Sequence, residues 1–436
     1  MISASRHDKN QFWKYVSSFL VLLLSAILLL ILCACFPAQR VNQRVKQSAV
    51  ILVQQGDYPA LSDMSDASVL DNFTDATMLM ECMSMHISDI STILTNPKYI
   101  YADTMVESLL QYTENETEEP TSYYARYWMG FRAILRPALT FLSYQEILLY
   151  HSFILFLLFS AVIISLTKHS CPCAAITFAI SFILVRPHII CNSLQFSNCF
   201  LIAFTAMLLV PYVSKARSRF HLFFWQIGIV TMYFDFYTTP LITYALPAIY
   251  LWLLTHEEED SMKTRDFFST FAVWMAGYVL MWLAKLVLVD VFTGVSGLKT
   301  GLSAMGNWTI RPVEGKSITP VTTFYRIAAA IVADREGACI WGIAILSTLL
   351  FLVKSKHDRM RYSKNIRTNK DLLIVTIYVF LWFLVTYKPT AVHYYFQYRS
   401  ITVVYWSLML LVFYRQNNKT HLREYPFTTT APHTEG

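Results

Sequence analysis

Charge is scarce in this chain, and the scarcity decides its class. Asp, Glu, Lys and Arg make up 15% of its 436 residues, hydrophobic residues make up 55%, and the mean hydropathy is +0.42. A soluble globular domain carries about 25% charged residues, so a string of soluble domains is excluded. Glycine and proline are also few, 12 and 15 residues, which removes collagen-like and low-complexity fibres, and a 15% aromatic content removes intrinsic disorder. The eight cysteines form no zinc-type CxxC pair, and five of them sit in or against apolar runs, where Cys acts as a small hydrophobe rather than as part of a disulfide scaffold. There is no Walker A sequence, dinucleotide-binding glycine pattern, HExxH or nucleophile elbow, which disfavours ATP-driven transport by this chain alone. No internal repeat of 20 to 50 residues is present.

What the chain has in abundance is apolar runs nearly free of charge. A helix needs about 20 such residues to cross the hydrocarbon, or about 17 when flanking side chains help. About ten runs qualify: 15–36, 147–167, 171–186, one within 189–213, 220–234, 236–255, 267–289, 338–353, 372–387 and 400–414. The expected fold is an all-α integral membrane protein, a polytopic bundle of about ten transmembrane helices with a large outer first loop.

Lys and Arg set the orientation. Arg6, Lys9 and Lys14, then Lys168, then Lys215, Arg217 and Arg219, then Lys263 and Arg265 fall in alternate connections; loop 354–370 carries seven Lys or Arg against one Asp, and Arg415, Lys419 and Arg423 follow the last span. In a ten-span arrangement all lie on one side, the cytoplasm, with the N-terminus 1–14 and the tail 415–436. The net charge of +6 is therefore a topology signal and not a nucleic-acid footprint. The first loop, 37–146, holds fourteen Asp or Glu against seven Lys or Arg and is expected outside, packed on the face of the multi-span bundle 147–414. A second outer loop, 290–337, contains a glycine-rich stretch and a weakly amphipathic segment at 322–333. Leu32, Cys33, Ala34 and Cys35 loosely resemble a lipoprotein cleavage box, but the apolar run of 22 residues favours an uncleaved signal anchor. Asn72, Asn115 and Asn307 open N-x-T sequons, which matter only in a host that glycosylates there.

Ionisable groups at membrane depth cost at least about 2.5 kcal/mol and demand a partner or a wet cavity. Asp235, in FDFYTTP, and Lys285, in MWLAKLVL, are the clearest. Asp235 falls at a turn between spans, where it is either functional or merely solvated; Lys285 is either paired or a snorkelling stem. Arg126, Arg132 and Arg136 enter the second span on a segment dense in Tyr and Trp, and His393, Tyr394, Gln397 and Arg399 precede the last. Such cations outside run against the positive-inside bias and suit an anionic lipid headgroup, although an anchor belt or pairing with the acidic loop accounts for them too. In the first loop Asp63, Asp66, Asp71 and Asp75 recur at intervals of three to five; on a helix starting near 71, Asp71 and Asp75 share a face, and a carboxylate there is placed to accept a proton.

Together LDNFTDATML, YARYWMGFRAILRPALTFLSYQEI, LQFSNCF, FDFYTTPLITYALP, GYVLMWLAKLVL and VHYYFQYR resemble a family of uncharacterised multi-pass membrane proteins of Gram-positive bacteria, over residues 71–399. Met129 stands where that pattern has a His. The resemblance places the chain in a bacterial plasma membrane. The order of one span, an acidic outer loop and a many-span bundle is also similar to GT-C glycosyltransferases, though the paired acidic signature of those enzymes is missing. That likeness implies a polyprenyl-phosphate-linked sugar donor used on the outer face and a first-loop carboxylate: Asp75, with Asp71 in reserve, as base, and Arg126, Arg132, Lys285, His393, Arg399 and Asp235 toward the lipid-linked substrate. No metal ligands are assigned and the cofactor is left open. Two other classes stay open: a transporter or flippase, which would set Asp235 and Lys285 on a central cavity, and a non-catalytic membrane assembly factor.

Overall fold

The computed structural model describes residues 6–61, 66–115, 119–256, 261–309, 318–332 and 356–415, with scattered positions between 338 and 349. Most of the expected span at 338–353 and most of the tail lie outside the described residues. Helices take up most of the described chain; the two strands, β1 (Pro97–Lys98) and β2 (Ser122–Tyr123), pair antiparallel. The all-α expectation is met.

Among the described residues, five helical segments are long and apolar enough to cross a membrane: Gln11–Ala34 within α1 (Arg6–Ala34), α6 (Tyr144–His169), α8 (Leu194–Val213), α11 (Thr264–Phe292) and Tyr394–Phe413, which ends in α16 (Ile401–Phe413). A sixth arises if Tyr362–Thr368, the end of α14 (Lys356–Thr368), and α15 (Leu372–Val385) form one broken span, bent by 71° where they meet. Shorter apolar helices complete the bundle: α7 (Pro172–Ile183), α9 (Phe220–Phe234), α10 (Leu241–Thr255) and α13 (Pro320–Val332). α12 (Gly297–Thr309) follows α11.

Local signals explain the boundaries. α6 opens with a capping box, Ser143 and Glu146 exchanging hydrogen bonds, and α7 starts with Pro172 in its first turn, where the missing N–H costs nothing. α1 and α6 expose large apolar side chains outward, among them Leu24, Leu28, Leu149, Phe153 and Leu157, as lipid-facing helices do. α10 is the opposite case: every residue but Leu254 is buried, so protein surrounds it on all sides. α9 and α11 approach closely at two glycines. A Cβ on Gly228 would collide with the Trp274 carbonyl oxygen, and one on Gly277 would lie 2.5 Å from the Trp225 oxygen.

The acidic segment folds as α2 (Ala38–Gln55), α3 (Asn72–Met83), α4 (Met105–Glu114) and α5 (Arg132–Leu139). These share a core in which Val41, Val45, Leu79, Met83, Leu109 and Leu135 pack with Tyr144 and Ile147 of α6 and Leu194 of α8, so the segment is continuous with the bundle. α3 lies at its centre, with Asp75 and Glu81 among its buried residues. The one-turn helix Ile90–Thr95 rests against α11.

Candidate functional site

A cavity of about 460 Å³ lies between the acidic segment, helices α8, α9, α11 and α12, and the connection that follows α15. Four ionisable side chains reach it from distant parts of the chain: Asp71, Lys98, Arg126 and His393. Most of the remaining wall is aromatic or apolar, including Phe73, Met129, Met232, Phe236, Tyr237, Trp282, Met305 and Val385, with Thr74, Thr77, Gln195 and Thr386 as uncharged polar members. A few converging polar groups on an apolar wall are the usual composition of a small-molecule site.

Asp71 is the N-cap of α3. One carboxylate oxygen accepts the Thr74 N–H at 2.9 Å; the other accepts the Thr74 hydroxyl at 2.9 Å and the Tyr395 hydroxyl at 3.4 Å. Burial pushes its carboxyl up to about 6, against the pull of those hydrogen bonds. Lys98 is placed by the β1–β2 pairing and hangs over the rings of Phe73 and Tyr124, 4.7 and 5.2 Å from their centroids. Burial lowers its ammonium, and the charge of Glu81 works the other way. The Arg126 guanidinium lies 4.2 Å from the Tyr124 ring and 4.9 Å from the Tyr127 ring, and its buried Nε makes no hydrogen bond. Burial lowers His393 to about 4, so the imidazole is neutral near pH 7. Two wall residues, Met129 and Tyr237, have left-handed backbones with φ of 55° and 72°, conformations that non-glycine residues adopt at a cost and that gather at functional sites.

The remaining candidates lie elsewhere. Asp75 does not reach the cavity: fully buried one turn into α3, it accepts the Tyr144 hydroxyl at 2.5 Å, the Leu194 N–H at 3.3 Å and the Ser193 hydroxyl at 3.4 Å. Burial raises its carboxyl to about 7. Asp71 and Asp75 thus belong to one helix start but to different surroundings, and only Asp71 faces open space.

Arg132 and Lys285 form a second, closed group with Glu81. Arg132 stands 3.5 Å from the Glu81 carboxylate and donates to the carbonyl oxygens of Met129, Ile93 and Trp128. Lys285 donates to the Leu94 carbonyl at 2.6 Å and lies over Trp128, so it is held inside the protein and does not snorkel outward. Arg136 donates to the carbonyl oxygens of Cys82 and Phe36. Asp235 is likewise no solvated turn residue: at 1% exposure it accepts the N–H groups of Tyr237 and Thr238, the Thr238 hydroxyl and the Cys199 thiol. Arg399 stacks 4.4 Å from Phe196 and donates to the Tyr395 carbonyl, one residue layer behind the cavity.

No family model, curated protein or solved structure matches this chain. Its chemistry is therefore read from its own residues. Among the described residues no three His, Cys, Asp or Glu side chains gather as a metal site. Lys98, Glu81 and Tyr395 are members of these groups that no local sequence pattern singles out. Lys98 does carry a wider signal, as the only Lys or Arg between Lys46 and Arg126 in an acidic stretch.

Proposed function

We propose that this chain is a polytopic, GT-C-like membrane enzyme of about ten spans that transfers a sugar from a polyprenyl phosphate carrier to an acceptor hydroxyl at the cavity. The reading places it in a bacterial plasma membrane, with both termini cytoplasmic and the acidic segment outside. One observation carries it: Asp71, Lys98, Arg126 and His393 converge on a single cavity whose other walls are mainly apolar and aromatic. In this scheme the acceptor oxygen bonds to the anomeric carbon while its proton passes to the free lone pairs of Asp71. The bond from that carbon to the phosphate oxygen breaks, and the carrier leaves as polyprenyl phosphate. Lys98 and Arg126, fixed over aromatic rings, meet the charge developing on the phosphate, and neutral His393 supplies a hydrogen bond. Asp75, Arg132, Lys285, Asp235 and Arg399 then support the site from behind. Asp235 and Lys285 being enclosed in internal hydrogen bonds supports an enzyme over a transporter, which would use them on a passage.

The test is mass spectrometry of lipid that copurifies with the full-length protein. Polyprenyl phosphate is expected with wild type and with Asp71→Asn, and is lost in Lys98→Ala and Arg126→Ala. If wild type carries no such lipid, and Lys98→Ala, Arg126→Ala and Asp71→Asn all keep function in cells, the assignment fails.

A further inference from the structure

The turn that joins α9 to α10 is built at a cost that packing alone does not require. Its third residue, Tyr237, is an aromatic residue held at φ 72°, where glycine is the usual occupant. Asp235 imposes that conformation. Its carboxylate accepts the Tyr237 N–H at 2.8 Å and the Thr238 N–H at 2.9 Å together with the Thr238 hydroxyl, and Cys199 donates to it from α8 at 3.3 Å. From the other side Gln397 donates to the Tyr237 carbonyl at 2.9 Å. The turn is therefore clamped at both its carboxylate and its carbonyl. The result is that the Tyr237 ring lines the cavity while resting against Trp382, with centroids 5.6 Å apart. Phe236 lines the cavity beside it and meets the Tyr127 ring, over which the Arg126 guanidinium lies. Arg126, Tyr127, Phe236 and Tyr237 thus all line one cavity.

We infer that Tyr237 is the platform that receives the saccharide ring of the donor, and that Asp235 is the positioning residue that presents it. The inference rests on the reading of the cavity as a sugar-phosphate site. A pyranose has one face of C–H groups and a rim of hydroxyls, so it settles on a rigid aromatic wall, and a sugar attached to a phosphate at Arg126 comes next along this one. The polyprenyl tail has no need of a ring in a fixed orientation; any apolar surface serves it.

Two probes separate these roles on the full-length protein in lipid nanodiscs: a polyprenyl phosphate carrying a hexose, and the same polyprenyl phosphate without sugar. Tyr237→Ala is expected to weaken the hexose-bearing probe at least tenfold and to leave the bare one within twofold; Tyr237→Phe keeps both. Asp235→Ala should reproduce the selective loss, and should add nothing to it in the Tyr237→Ala background. An equal loss of both probes, or no loss of either, in a Tyr237→Ala protein that elutes as wild type does overturns the platform while leaving the cavity's role standing. Wild type that binds neither probe overturns the reading of the cavity and the platform with it.

Discussion

Replacing Gly228 or Gly277 by alanine tests how closely α9 and α11 are pressed together. At Gly228 the new methyl group would overlap the Trp274 carbonyl oxygen and lie 2.9 Å from the carbonyl carbon and 3.1 Å from the Tyr278 nitrogen; at Gly277 it would lie 2.5 Å from the Trp225 oxygen and 3.3 Å from Ile229 Cγ1. The nearest obstacles are backbone atoms, which cannot rotate aside as a side chain can. The helices must separate by roughly 1 Å to restore ordinary contact distances, and a gap of 0.5 to 1 Å forfeits about a quarter to a half of each dispersion contact along the seam. Overpacking of this kind costs about 1 to 3 kcal/mol, with Gly228→Ala at or above the upper end and Gly277→Ala below it. One separation accommodates both methyl groups, so the double variant should cost less than the sum of the two. The assay is thermal inactivation of purified protein in detergent, followed as a half-life at fixed temperature, since unfolding of membrane proteins is commonly irreversible. Full wild-type stability in either variant, a larger effect at Gly277 than at Gly228, or strict additivity would each refute the close approach described above.

Asp71→Asn should fold normally, because Asn caps a helix as well as Asp does, yet lower transfer by about 10² to 10⁴; Asp71→Ala should in addition lose about 1 kcal/mol of stability with the cap. With a carboxyl near 6, Asp71 requires that kcat/KM rise about tenfold per pH unit below 6 and level off above it, a profile absent from the residual activity of Asp71→Asn. Asp71, Asp75 and Glu81, raised to about 6, 7 and 7, all hold protons more tightly folded than unfolded; stability from this source is present at pH 4 and falls as pH climbs to 7, so inactivation should be faster at pH 8 than at pH 5, and Asp75→Asn should flatten the difference. Reporter fusions after Lys168, Lys215 and Lys356 should all read as cytoplasmic, and one that reads outside breaks the alternating topology.

How much of this was legible beforehand depends on how far apart the interacting residues lie. α1 and α6 could be read directly, since each holds an uninterrupted apolar run of more than 20 residues, long enough to cross a membrane. The helical start at Asp71 was legible because a cap is a local event, with Thr74 three residues on. The split between Asp71 and Asp75 was not, because it is made by Tyr144 and Tyr395, 69 and 324 residues away from the carboxylates they touch. Lys98 was hidden for the same reason: its position depends on pairing with residues 122–123 and on rings supplied by residues 73 and 124. Lys285 was ambiguous in sequence, where a snorkelling stem and a buried donor look alike until the Leu94 carbonyl is found within reach. The closure at Asp235 could have been anticipated, since Asp followed three residues later by Thr is a common side-chain-closed turn; the left-handed Tyr237 that it enforces could not.

The burial of α10 on every side bears on how the protein is made. At 15 residues it extends about 22 Å, short of the roughly 30 Å of hydrocarbon, and its Thr231–Thr243, Tyr244–Thr270 and Ser165–Tyr250 hydroxyl contacts are all made with other helices. Released alone into lipid during synthesis, it would leave both its ends and those hydroxyls without partners. α8 and α9 are made before it, but α11, α15 and α16, which also pack on it, are made after, so its enclosure is completed at a later stage of biogenesis than the folding of α1 or α6. A defect in any of those three later neighbours would first be felt as an incompletely enclosed α10.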